Sequence, residues 1–238
     1  MREYKPNKYI SLNCVKTALQ ARDLYEYYDN LSLSKTRQRE YDLKIGVAIT
    51  PESFYFNNVK SSTRLTLNRE IHDIFGCIPD KYLSIHLCNV ERDRLSNMIW
   101  DVREEFNDSV FLQLNVDYDV LFLKSGECNN CIIQFDPTNK DSQYHNYLHM
   151  TKRFNHILID SSHGKGIKSL TIGDVRSRVI YDNSYLRLGY AGGLDPENVY
   201  DFIRENPDLS LDVESGIRTN NELDLAKCHK FLEEVMIR

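Results

Sequence analysis

Gly192 and Gly193 lie between an apolar run ending at Ala191 and the sequence Asp195-Pro196-Glu197-Asn198, which reads as a helix start. Asp195 can cap free amides, and Pro196 suits a first helical position, where no N–H is needed. Glycine there lets the backbone take positive φ and approach a ligand closely, while the free amides attract an anion. The arrangement recurs where LSLDV runs into Glu214-Ser215-Gly216-Ile217-Arg218. Taken singly, such glycines do no more than permit tight strand-to-helix turns. Taken as a pair on neighbouring strands, the amides of Gly192, Gly193, Ser215 and Gly216 make a phosphate clamp.

Carboxylates mark a second set of positions. Asp136 in CIIQFD, Asp160 in HILID and Asp212 in LSLDV end or enter apolar runs. An unpaired carboxylate is costly in such a place, so each is either a partner for a loop amide or a functional group. Together the three would form an acidic mouth able to take a divalent cation. His86 and His163 are weaker candidates, because a lone histidine is more often structural or exposed. Cys128 and Cys131 form a C-x-x-C, but with no second pair and no histidine pair nearby they read as incidental loop cysteines rather than a zinc site.

These residues need a scaffold, and the chain supplies a β/α rhythm. Eight short runs rich in β-branched and large apolar residues cover 9–14, 43–49, 82–88, 110–116, 131–136, 156–160, 185–191 and 209–213. Helix candidates lie between them at 15–31, 68–75, 90–106, 141–154, 196–206 and 220–235. Eight strands alternating with helices predict a single eight-stranded parallel β/α (TIM) barrel over residues 1–238, with its chemistry on the loops that follow the strands. A long polar insertion follows the second strand at about 50–69, and the connection 117–130 reads as a distorted helix or a further strand.

Composition sets the outer limits. Hydrophobic residues make up 41% and charged residues 27%, an ordinary globular balance, and the net charge of -5 offers no general attraction to nucleic acid or anionic membrane. No apolar run has the length of a spanning helix, and the N-terminus lacks a signal-peptide core, so a cytoplasmic protein is expected. The six cysteines are then expected to be thiols.

YAGGLDPENV followed by LDVESGIR resembles the ending of the phosphoribosylanthranilate isomerase family, whose last strands read L-A-G-G-L-x-P-x-N-V and V-D-V-S-S-G-[VI]-E. HILIDSSHGKG is similar to that family's sixth strand and its glycine-bearing mobile loop, and ISLNCV places Cys14 where the family carries its K-I-C-G cysteine. The resemblance implies a cofactor-free Amadori rearrangement of a small phosphorylated sugar, by a monomer or homodimer. It implies Asp160 as the acid that protonates the ring oxygen and Cys14 as the base that takes the C2′ proton. Burial would raise the carboxyl's pKa, and nearby cations would lower the thiol's. The loop Ser161-Ser162-His163-Gly164-Lys165-Gly166 would close over the sugar, with Gln113, Asp136 and Asp212 as further contacts.

The chain departs from that pattern in four places. Strand one lacks the lysine before and the glycine after Cys14, and Asn115 stands where the family has histidine. Glu214 replaces a serine, which should repel a phosphate unless its side chain faces away. Arg64 is the insertion's one arginine, where the family holds the anthranilate carboxylate. Two other readings therefore stand beside the isomerase: a different phosphosugar or phosphonucleotide enzyme with a metal in an acidic mouth, and a silent barrel that binds a phosphometabolite and acts through a partner.

Overall fold

Alternation along each strand decides which side chains meet the helices and which fill the centre. The computed structural model describes residues 8–33, 41–50, 54–56, 65–67, 69–106, 109–116, 120, 122–135, 154–160 and 187–237. Its strands are β1 (Lys8–Leu12), β2 (Tyr41–Ile49), β3 (Leu83–Cys88), β4 (Phe111–Asn115), β5 (Cys131–Phe135), β6 (His156–Ile159), β7 (Arg187–Ala191) and β8 (Ser210–Val213). Each pairs in parallel with its neighbours in chain order, and β8 pairs with β1 to close the barrel. All eight expected runs are barrel strands.

Outward positions such as Ile10, Leu12, Ile45, Ile85, Leu112 and Leu211 are fully or almost fully buried in one large cluster beneath the helices. Inward positions differ. A small apolar plug of Tyr9, Ile132, Leu158 and Ala191 fills part of the centre, and the Tyr9 hydroxyl reaches Gly189, where an added Cβ would lie 2.5 Å from it. The remaining buried inward residues include Ser11, Lys44, Ser84, His86, Gln113 and Asp212. The strands are buried on both faces, as expected, but are continuous apolar runs only in part, because the inner face carries polar groups.

Five helices fall within the described residues: α1 (Ala18–Leu33), α2 (Arg69–Phe75), α3 (Arg92–Phe106), α4 (Val199–Glu205) and α5 (Leu225–Met236). The candidate at 141–154 lies outside them. Thr17 and Gln20 start α1 by bonding each other's backbone amides, a reciprocal capping arrangement. Asp224 caps α5 through the Lys227 amide. Phe231 and Leu232 of α5 are fully buried, each contributing about 2–3 kcal/mol. His229 meets Asp23 at 2.6 Å and stacks on Tyr27, so the last helix is tied to the first.

Within the insertion, Phe54–Phe56 and Leu65–Leu67 pair as an antiparallel hairpin. The connection after β4 contains a 3-10 turn, Ser125–Cys128, rather than the expected helix or strand. Side chains of α3 hold it there. The buried Glu127 carboxylate accepts from Ser96 at 2.9 Å and Trp100 at 3.1 Å, and Arg103 reaches the carbonyls of Gly126 and Glu127. Cys128 donates to the Lys124 carbonyl and Cys131 to that of Glu127, so both C-x-x-C thiols are engaged within the turn. No helix among the described residues is long and apolar enough to cross a membrane.

Candidate active site

The carboxyl ends of β7 and β8 bring the two glycine turns together. Gly192 and Gly193 have φ of 125° and 64°, a backbone that a side chain would strain. Asp195 Oδ1 accepts from the amides of Glu197 and Asn198, both at 2.9 Å. Asn198 answers by accepting from the Asp195 amide at 3.0 Å and donating to the Gly193 carbonyl at 2.7 Å. Asp195 thus caps free amides as expected, although α4 proper starts three residues after Pro196, at Val199. Neither glycine's amide has a hydrogen-bond partner among the described residues.

Gly216 locks the second turn onto the first. A Cβ on it would lie 1.9 Å from the Leu194 carbonyl oxygen and 2.9 Å from Asp195 Cα, both backbone atoms. Only glycine lets the two backbones approach this closely. A cavity of about 500 Å³ touches Gly192 and Gly193 from outside, but Glu197, Asp201 and Glu205 also line it.

Next to the second turn, Cys14 follows β1 in left-handed backbone, with φ 68°. A non-glycine residue held there costs on the order of 1 kcal/mol, a feature concentrated at functional positions. Arg218 donates to both Cys14 Sγ and Glu214 Oε1. Glu214 therefore faces Arg218, which answers the expected repulsion. The expected lowering of the thiol pKa is not found. Burial first, then the Glu214 carboxylate, pushes Cys14 up to about 12, and Arg218 offsets only part of this.

Asp160 is buried just beyond β6, and Gln134 Nε2 donates to its Oδ2 at 2.8 Å. β6 lies three strands from β1 around the ring, so Asp160 and Cys14 approach the mouth from well-separated sides. Asp212 sits between them on β8. A chain runs from Ser11 Oγ to Asn13 Oδ1 at 2.8 Å, and from Asn13 Nδ2 to Asp212 Oδ1 at 2.5 Å. Burial, Glu214 and Asp160 push Asp212 up to about 8. At neutral pH it keeps its proton, and its Oδ2 has no partner among the described residues.

Gln113 is buried beside Asp212, and its Oε1 is unpartnered among the described residues. Asn115 donates to Cys88 Sγ at 3.5 Å. His86 was a weak candidate from sequence. Burial holds its pKa down at about 3, so it is neutral, and its Nε2 has no partner among the described residues. Gly46 makes room for it, since a Cβ there would meet Asn13 Oδ1 at 2.1 Å and His86 Nε2 at 2.9 Å. Asn13 and Arg218 were missed as site residues. The strand period could have found Asn13, which shares a face with Tyr9 and Ser11.

Asp136, Arg64 and the loop residues Ser161, Ser162, His163, Gly164, Lys165 and Gly166 lie outside the described residues. Among the described residues, no group of three or more His, Cys, Asp or Glu side chains could hold a metal ion. The metal-binding mouth thus lacks a supporting cluster there.

Fold and site together define a β/α barrel whose last two strands end in joined glycine turns, with a buried acid on one side and a thiol on the other. Residues 122–234 match the family model for N-(5'phosphoribosyl)anthranilate (PRA) isomerase. The match falls in the C-terminal half of the chain, where the sequence resembles the phosphoribosylanthranilate isomerase family. The chain is 44% identical over 59 residues to the N-(5'-phosphoribosyl)anthranilate isomerase of Methanosarcina acetivorans, and that stretch spans 25% of each chain. The match thus covers about a quarter of that relative's length. Over whole chains the likeness is one of fold. TrpF from Jonesia denitrificans superposes with a TM-score of 0.60 at 16% identity, covering 95% of this chain and 96% of that one. A phosphoribosyl anthranilate isomerase in complex with reduced 1-(o-carboxyphenylamino)-1-deoxyribulose 5-phosphate gives 0.57 at 16% identity, covering 96% and 98%.

Proposed function

We propose that this chain catalyses the Amadori rearrangement of phosphoribosylanthranilate. The observation that carries the reading is the contact of Gly216 with the Leu194 carbonyl, which joins the two glycine turns on the strands that lie between those leading to Asp160 and Cys14. Amides of Gly192, Gly193, Ser215 and Gly216 hold the substrate phosphate. Asp160 gives a proton to the ring oxygen as the C1′–O bond breaks, and the amine nitrogen lone pair forms the C1′=N bond. Cys14, as thiolate, removes the C2′ proton, leaving an enolamine that takes a proton at C1′ and loses the one on its C2′ hydroxyl to become the ketone. Asp212, protonated and partnerless at Oδ2, donates to a sugar oxygen during these steps.

The deciding experiment follows the fluorescence of freshly generated phosphoribosylanthranilate. Decay proportional to enzyme, unchanged by EDTA, is expected. No decay above the uncatalysed rate, with tight binding of the reduced product analogue, would instead make this a silent phosphometabolite-binding barrel.

A further inference from the structure

The Arg218 guanidinium is shared between two acceptors that compete for it. Its Nη2 donates to Cys14 Sγ and to Glu214 Oε1, four residues earlier across the 3-10 turn Ser215–Ile217. The backbone that carries the Arg218 side chain is anchored on both sides. Its amide bonds to the Ser215 carbonyl, its own carbonyl accepts from Lys227 Nζ at 2.7 Å, and it pairs with Leu223 in a short antiparallel ladder. Both members of the ion pair are partly shielded, at 25% and 37% exposure, so their charges act on the thiol with less screening than surface ions.

The other ionisable groups around Cys14 do not reach it in this way. Lys16, on the same segment, turns outward to Glu222 at 3.0 Å. Asp212 of β8 bonds to Asn13, and Cys88 of β3 takes its bond from Asn115. The charge on the Cys14 sulfur is left to Arg218 and Glu214.

We propose that the Glu214–Arg218 pair sets the protonation of Cys14, with Arg218 as the counter-ion of the thiolate and Glu214 as the competitor that holds the resting thiol protonated. A carboxylate outcompetes a neutral thiol for the shared guanidinium, so the resting state keeps the S–H. When Cys14 loses its proton, the same N–H group serves the sulfur anion without moving the backbone. Arg218 and Glu214 are thus positioning residues that act through Cys14. The catalytic consequence rests on the isomerase reading, but the thiol chemistry does not.

The test is the rate at which iodoacetamide alkylates Cys14 in the full chain at pH 8, read peptide by peptide by mass spectrometry, since the thiolate is the reacting form. Glu214→Gln should speed the reaction about tenfold and Arg218→Gln should slow it about tenfold, one pKa unit each way. Arg218→Lys keeps a positive charge and should stay closer to the wild type than Arg218→Gln does. The buried Cys131 and Cys228 report unfolding, and if Arg218→Gln exposes them, Glu214→Gln carries the test. Rates within about twofold of wild type for Glu214→Gln, or shifts of the same sign in both Gln variants, would overturn the proposal. Failure to turn over phosphoribosylanthranilate with this ordering intact would defeat the isomerase reading and leave the pair standing. Turnover without the ordering would do the reverse.

Discussion

The β7–β8 end of the barrel mouth is made of backbone, and the β1–β6 side is made of side chains. At the first, Gly192, Gly193 and Gly216 bring main-chain atoms so close that a Cβ has no room, and Asn198 and Asp195 pin the turn by reciprocal hydrogen bonds. At the second, Asn13, His86, Gln113 and Asp160 are buried polar side chains beside the half-buried Cys14, and His86 Nε2 and Gln113 Oε1 have no partner among the described residues. A backbone seat depends on glycines at fixed positions, whereas a side-chain mouth can exchange one polar group for another. The family's ending is accordingly well kept at 190–199, while Asn115 and Glu214 depart from it.

If the division is sound, substitutions on the two sides should separate in kinetics. On the mouth side, Cys14→Ala and Asp160→Asn should each lower kcat by about a thousandfold with little change in KM, as loss of an acid or base does. Steady-state fluorescence assays would check this, and a fall confined to KM would erase the distinction. On the seat side, Gly216→Ala drives a Cβ into the Leu194 carbonyl and should weaken binding of a phosphate-bearing ligand by about a hundredfold, through loss of two or so charged hydrogen bonds. Titration calorimetry, with circular dichroism to confirm the fold, would show it.

A smaller effect concerns pH. The folded chain holds Asp212 protonated up to about 8, whereas an unfolded chain releases that proton near 3.8. Between those values the folded state binds more protons, so this group's stabilising contribution is complete below about 4 and is lost as pH rises through 8. Asp212→Asn should therefore match the wild type at pH 4 and exceed its stability at pH 7, by on the order of 1 kcal/mol per pH unit crossed. Urea unfolding across that range would reveal it, and parallel curves would deny the buried proton. Smallest of all, Asn198→Ala removes the bonds to the Gly193 carbonyl and Asp195 amide. It should raise KM severalfold and cost about 1–2 kcal/mol of stability, with kcat held.

Much of the scaffold was legible because each strand keeps one strictly apolar face. Ile10 and Leu12, or Ile45, Val47 and Ile49, mark a strand whatever lies between them. The Ser125–Cys128 turn was not legible, because its shape comes from Ser96, Trp100 and Arg103 of a preceding helix rather than from its own pattern. The two glycine turns could be read because glycine spacing is local. The mouth could be read only in part. Asp160 and Asp212 announce themselves as carboxylates at the ends of apolar runs, but Asn13 looks like an ordinary strand-end residue until it meets Asp212, 199 positions away. Cys14 was visible by resemblance, yet its environment was misjudged. Nothing in ISLNCV says that burial, and then Glu214, would hold the thiol high against the pull of Arg218.

The most direct test of the seat-and-mouth account is calorimetric titration of the reduced carboxyphenylamino-deoxyribulose ligand with and without its 5-phosphate. Several amide hydrogen bonds to a dianion predict that the phosphorylated form binds about a hundredfold to a thousandfold more tightly, and that Gly216→Ala removes most of that advantage. Equal affinity of the two forms, or an advantage untouched by Gly216→Ala, would contradict the assignment of the paired turns as the phosphate seat.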